Sequence, residues 1–401
     1  MSLQSLQAQL AYKRIRSTMR YVYYDMKNVT LDFGISTPPS LKYMQEIVGW
    51  CGKAVDSLAD RLQFREFSDD TFDLNTIYAL NNPDILYGSA ILSALICSCS
   101  FIYIADGENG IPRLQVIDGT DATGEIEPET GLLKEGYAVL QRDDLGNAIL
   151  DAYFTPDYTY YYQNGALIDQ RENPAPYPLL VPVIYRPDAK RPFGHSRISR
   201  ACISHVNSAI RTIKRSEISA EFYSFPQRYA TGLDENADHM DKWKASMSSM
   251  LEFTLNEDGD DHIRVGQFSQ QSMEPHVSQL RMFAALFAGE TGLTLDDLGF
   301  VTDNPSSEGA IIAAHENLRL CARKAKETFT TGFLNAGYLA ACVRDDYAYK
   351  RQQMRFTKAR WYPVFEPDVS MLGAVGDALG KIGASYPDMM TTERVEDLLG
   401  W

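Results

Sequence analysis

Gly194-His195-Ser196-Arg197-Ile198 sets a serine beside a histidine just after a glycine. That is how a G-x-S-x-G nucleophile elbow begins, in which a sharp turn lifts a serine hydroxyl towards its base. Ile198 stands where the second glycine is needed for close backbone approach, so the pattern does not carry hydrolase chemistry. The acidic run NEDGDDH, from Asn256 to His262, has the composition of a calcium loop, but Gly259 is fourth from Asn256 where an EF-hand turn needs it sixth. A solvated hairpin tip accounts for it better, and a hydrolase or nuclease using 256–262 stands as the alternative from the enzyme class. No histidine has a second one three or four residues away, as a metal site on a helix requires, and neither H-E-x-x-H nor G-x4-G-K-[ST] occurs. The expectation is a chain without catalytic residues, metal or cofactor, and not itself a motor.

The whole chain narrows this further. Its 401 residues are 45% hydrophobic and can bury a large core in two or three compact regions. The formal charge of −15 disfavours tight, sequence-independent binding of nucleic acid, which rests on many Lys/Arg contacts to phosphate. Six scattered cysteines, with Cys97-x-Cys99 the only close pair, read as reduced core thiols rather than a disulfide framework or zinc site. The opening MSLQSLQAQLAYKRIR lacks the pattern of a signal peptide. Ile85 to Ala105 is uncharged and long enough to span a bilayer, yet serines and a glycine interrupt it and Asp106-Gly107 ends it as a turn pair. A buried helix running into a buried strand is expected there, with no membrane partner.

These features sit on an α+β framework. Residues 1–82 read as mostly helical, with Ile47, Cys51, Val55, Leu58 and Leu62 at helical spacing. From about 99 to 186, short β-rich runs are punctuated by Asn109-Gly110, Leu145-Gly146-Asn147 and Asn164-Gly165, which predicts an antiparallel sheet closed by a proline-rich extended crossing. His195 to Phe225 holds no Gly or Pro and predicts a helix with a narrow stripe of Ile203, Val206, Ile210 and Ile213. A mixed insert follows from Pro226 to Ser272, helical around NADHMDKWKASMSSM and extended at LEFTLN and HIRVGQFS. A second helix is expected over Val277–Gly289, with Leu280, Phe283, Ala284 and Phe287 on one face. After a breaker-rich loop, a third runs from about Ser307 to the Val343 region, capped by Ser306 or Ser307, with Ile311, Leu318, Ala322, Ala325 and Phe329 as its stripe. Arg319, Arg323 and Lys326 form a second row on it, read as a solvated face. Narrow stripes on long helices want neighbours.

In this order, VPVIYRPDAKRPFGHSRISRACISHVNSAIRTIKRSEISAEFYSFPQRYATG, DNPSSEGAIIAAHENLRLCARKAKETF and GDALGKIGASYP resemble the portal proteins of tailed bacteriophages, of the siphophage head-tail type. WCGKAVDSLADRLQF and AYFTPDYTYYYQNG support the likeness, which runs nearly end to end. The resemblance implies a portal fold assembled as a ring, generally a dodecamer. It assigns 1–190 to the wing, 191–225 and 276–292 to two stem helices, 226–275 to the clip, 293–307 to the tunnel-loop region, 308–360 to the long wing helix and its return, and 361–401 to a short crown. The tunnel loop would be Asp303, Asn304, Pro305, Ser306 and Ser307, without the Lys or Arg that direct phosphate gripping requires. Channel-lining candidates on the stem are Arg200, Arg211, Lys214, Arg215, Glu217, Gln279 and Arg281, and clip candidates for motor or adaptor docking are Trp243, Asp258, Asp260 and Asp261.

Implied partners are further copies of the chain, double-stranded DNA passing without sequence specificity, the terminase large subunit, a head-tail adaptor, and the major capsid and scaffolding proteins. The implied location is the capsid's portal vertex, after synthesis in the cytoplasm of a bacterial host. Against this conduit stand the enzyme reading of 256–262 and a monomeric phage binding module, which would leave the helical stripes exposed.

Overall fold

In the computed structural model, residues 2–29, 45–107, 110–224, 228–233, 250–254, 264–267, 272–300, 313–365 and 369–385 are described. The N-terminal third is α1 (Leu3–Tyr24), α2 (Trp50–Ala59), β1 (Phe64–Ser68), α3 (Leu74–Ala79) and α4 (Pro83–Cys97), followed directly by β2 (Cys99–Ala105). The uncharged run from Ile85 therefore divides as expected, at Ser98, whose φ of 92° ends the helix and turns the chain into the strand. Among the described residues no helix is long and apolar enough to cross a membrane.

Two antiparallel sheets follow. In the first, β2 lies between β3 (Arg113–Ile117) and β9 (Leu180–Ile184), and every residue from Cys99 to Ile104 is buried. The second is a meander of β4 (Ala122–Ile126), β5 (Leu133–Arg142), β6 (Ala148–Phe154), β7 (Tyr158–Gln163) and β8 (Ala166–Glu172). Asn164 and Gly165, at φ 50° and 80°, make the two-residue turn between β7 and β8 that their types predict. β8 is exposed throughout and carries Asp169, Arg171 and Glu172, charges that discourage pairing along an open edge. Leu6 and Leu10 of α1 are buried against Tyr137 and Val139 of β5, which lays that helix across the meander.

Two expectations need correction here. Residues 1–82 include a strand: β1 pairs antiparallel with β13 (Lys358–Trp361), nearly three hundred residues away. FREFS carries too much charge and too little β-branching to announce a strand alone; its partner supplies the hydrogen bonds and Phe64 stacks on Tyr87 and meets Trp361. The helix expected from His195 begins instead at Arg200, as α5 (Arg200–Ser224). The five residues before it are held by other elements: His195 N donates to Tyr185 O, Ser196 Oγ to Ile96 O and Arg197 N to Leu95 O.

After α5 come β10 (Arg228–Leu233), β11 (Met250–Thr254) and β12 (Arg264–Gln267), with β10 central, parallel to β11 and antiparallel to β12. β11 and β12 match the expected strands, β10 was not foreseen, and the expected helix around 236–250 lies almost wholly outside the described residues. The remaining helices are α6 (Glu274–Thr291), α7 (Glu316–Asp345) and α8 (Val369–Ser385). Leu318, Ala322, Ala325 and Phe329 of α7 are buried as their spacing predicts, and the helix continues as an almost wholly buried run from Gly332 to Cys342 against β9 and β2. Ile311 and the capping candidates Ser306 and Ser307 lie outside the described residues.

Candidate functional site

α5 and α6 are the elements on which the channel-lining candidates fall. With 25 residues, α5 is about 37 Å long at 1.5 Å per residue. Ser199 Oγ donates to Glu290 Oε1 at 2.8 Å and Thr212 Oγ1 to Gln279 Oε1 at 3.3 Å, so residue numbers rise on one helix as they fall on the other. The pair is antiparallel. Val206 and Ile210 are buried between α5 and the core, Ile203 and Ile213 half-buried, and from α6 Ala284 and Phe287 are buried with Leu280 and Phe283 packed against them.

Arg197 fixes the base of this pair. It is 7% exposed, and its guanidinium donates from Nε to Ala54 O of α2 at 3.0 Å and from Nη2 to Thr291 O at 2.6 Å. The second acceptor is the last residue of α6, where orphan carbonyls and the helix dipole favour a cation. Gly194, at φ 73°, allows the approach: a Cβ there would lie 2.0 Å from Tyr185 O. The glycine and serine of the GHSRI pentapeptide are thus architectural. Ser196 donates its hydroxyl proton to a backbone carbonyl, and His195 Nε2 faces Asp188 Oδ2 at 2.6 Å, so serine and histidine, though adjacent, do not form a nucleophile–base pair.

The outer side of the pair is open. Arg200, Ser204, Asn207, Arg211 and Arg215 are exposed at spacings of four, three, four and four along α5; Glu217 is exposed too, but it continues the line of Ile210 and Ile213 on another face. Lys214 departs from this row: it is 8% exposed, and its Nζ lies 3.9 Å from Oε2 of Glu46, a half-buried residue whose side chain is largely covered. On α6, Gln279 is half-buried through its bond to Thr212, and Arg281 is exposed. Met282 and Leu286 of α6, one turn apart, are each 49% exposed, a short apolar row that the single chain leaves uncovered, while Val277, 52% exposed, falls on another face of the helix. The tunnel-loop residues Asp303, Asn304, Pro305, Ser306 and Ser307, and the clip residues Trp243, Asp258, Asp260 and Asp261, lie outside the described residues.

The basic row of α7 is spoken for in part. Arg319 forms a two-pronged pair with Glu316, 2.7 Å on each side, and Lys326 Nζ donates to Tyr362 O at 2.6 Å. Burial pulls the Lys326 ammonium down to about 8. Five of the six cysteines are buried and Cys321 is half-buried, and all six are free. Among the described residues no three His, Cys, Asp or Glu side chains gather in a way that would hold a metal ion.

Sequence reasoning missed Arg197 and Glu46. Arg197 was legible only as the variable position of a failed catalytic motif, and nothing in the sequence links Glu46 to Lys214.

No protein-family model matches the chain. It is similar to two curated relatives, each called a portal protein. It is 27% identical to that of Mycobacterium phage L5 over 322 residues, and 26% identical to that of Mycobacterium phage D29 over 321 residues. Each alignment takes in 74% of this chain, and the chain spans about 65% of the length of either relative. The sequence resemblance thus points to proteins of the same name. Among solved structures, the chain aligns with the neck of an empty gene transfer agent particle at a TM-score of 0.47 and 11% identity, covering 88% of this chain and 89% of the other. It aligns with the virion of the native gene transfer agent particle at 0.45 and 14% identity, with the same coverage.

Proposed function

We propose that this chain is the subunit of a phage portal, a ring at one capsid vertex through which double-stranded DNA is packaged by a terminase motor and later ejected. The observation that carries the reading is the antiparallel pair α5 and α6. It is bolted to the core at one end by Arg197, while its outer side keeps an apolar row and a polar row that the single chain does not cover. In a ring, the apolar row of α6 meets the neighbouring copy and the row Arg200, Arg211 and Arg215 faces the channel or its rim. The likeness to mycobacteriophage portal proteins supports the same assignment.

Within that reading, 1–190 serves as the wing, the residues between the two stem helices as the clip that docks motor and adaptor, and 361–401 as the crown facing the capsid and scaffold. Asp303 to Ser307 forms the constriction around DNA. Twelve copies of a chain with a charge of −15 repel the phosphate backbone in bulk, so DNA slides instead of adhering. Electron micrographs of the purified protein, averaged down the particle axis, test the ring. Twelve- or thirteen-fold rings with a hole wide enough for a duplex, roughly 20 Å or more as the major and minor groove dimensions require, are expected. A sample that stays monomeric across protein and salt concentrations, with and without capsid partners, overturns it. Deleting Asn304 to Ser306 tests the loop: rings should form as before with less DNA packaged, and full-length packaging by that variant removes the loop from the mechanism.

A further inference from the structure

One cavity gathers cations that pair with no carboxylate among the described residues. It has a volume of about 210 Å³. Lys13, Arg16 and Arg20 project into it from one face of α1, at spacings of three and four, and Arg191 and His195 reach it from the crossing before α5. Its floor is the junction of α4 and β2 at Cys97–Cys99.

The bonds these groups make inside the chain leave most of their donors free. Arg20 Nη1 donates to Cys97 O at 2.8 Å, a cap on the C-terminal end of α4 that uses one of five N–H groups. Lys13 Nζ donates to Thr123 Oγ1 at 3.1 Å and lies 3.9 Å over the Phe193 ring. Arg16 rests on Tyr12, and Arg191 Nη1 is 3.3 Å from His195 Nδ1. Asp188 is committed to His195, and Asp118 accepts from Tyr21, Ser93 and Thr120 N. Among the described residues none of Lys13, Arg16, Arg20 and Arg191 makes an ion pair with a carboxylate.

Holding these cations close together and partly buried is unfavourable by itself. Burial lowers the pKa of both Lys13 and Arg20, and the nearby Arg16 pushes each in the same direction. An anion in the cavity reverses that penalty. Guanidinium forks arriving from two sides match the oxygens of a tetrahedral oxyanion. The volume is below the roughly 300 Å³ at which pockets begin to take drug-sized molecules, so a whole nucleotide does not fit.

We propose that this cavity binds a phosphate-class dianion, inorganic phosphate or a terminal phosphate monoester. The site is complete in one chain and does not rest on the portal reading. The test is titration calorimetry of the full chain with sodium phosphate, with sodium chloride at matched ionic strength as control. One phosphate per chain is expected, bound more tightly than any chloride effect. Arg16→Gln and Arg191→Gln, both at exposed positions, should each weaken it roughly tenfold, the loss expected for a charged hydrogen-bonded contact. A blunt duplex with 5′-hydroxyl ends should not displace the ion. Phosphate binding no stronger than chloride, or unchanged in both variants, overturns the site, and displacement by that duplex overturns the assignment to a free or terminal phosphate.

Discussion

Arg197 and the thiols show what single residues contribute. Arg197 holds two carbonyls on two helices with one planar fork, and each charged hydrogen bond of this kind contributes about 1.5 to 3 kcal/mol. Arg197→Met should therefore lower unfolding free energy by about 3 kcal/mol, and Arg197→Lys should recover less than half of that because a point charge cannot reach both acceptors. Urea unfolding measures both. Burial pushes Cys51 up to about 12, and Cys99 and Cys342 to about 11, while Cys97 and Cys202 are raised by the same cause. A raised thiol pKa means that the unfolded chain loses these protons first. Stability is then at its full value below about pH 9 and declines as pH climbs towards 11 or 12. At pH 8 an aromatic disulfide reagent should react quickly with the half-buried Cys321 alone, and Cys321→Ser should abolish the fast phase; several fast thiols in the native protein would contradict the burial.

Elements were legible where their own residues decided them. The division of α4 from β2, the turn at Asn164-Gly165 and the stripes of α5, α6 and α7 follow from local pattern, because apolar spacing and turn chemistry are contained in each segment. β1 escaped because its partner lies at the other end of the chain, and the start of α5 was misplaced because residues from four separate segments compete for 195–199. The phosphate cavity was equally hidden, since Lys13 and Arg191 are joined only by the fold. Gly194 carries a prediction at this scale. A Cβ on it meets Tyr185 O and the backbone is in the left-handed region, so Gly194→Ala must shift the strand end or the crossing. The expected loss is about 2 kcal/mol or more, read as a lower unfolding midpoint, with the base of α5 losing amide-exchange protection before the rest. An unchanged midpoint would mean that the crossing yields freely and does not set the position of the helix pair.

For the whole molecule, the open question is what covers α6. Its inner face is satisfied by Ala284, Phe287 and their neighbours, so the exposed Met282 and Leu286 add nothing to the stability of a lone chain and keep about half their surface in water. Hydrophobic burial is worth about 25 cal/mol per Å², and the same contact repeated around a closed ring is made once per subunit. In the proposed ring, assembly would therefore have a driving force located on one side of one helix. Met282→Glu with Leu286→Asp should leave the chain's unfolding midpoint nearly unchanged, since both positions are already hydrated, and should abolish or shrink the ring by placing two carboxylates against each neighbour. Mass photometry across a salt series reads the outcome. Partial recovery of rings at high salt would fit carboxylates repelling an already acidic neighbour, because screening weakens that repulsion without restoring the lost apolar contact. Rings formed by the double variant at wild-type concentration would show that the α6 row is not the interface, and the uncovered face would have to be assigned to another partner.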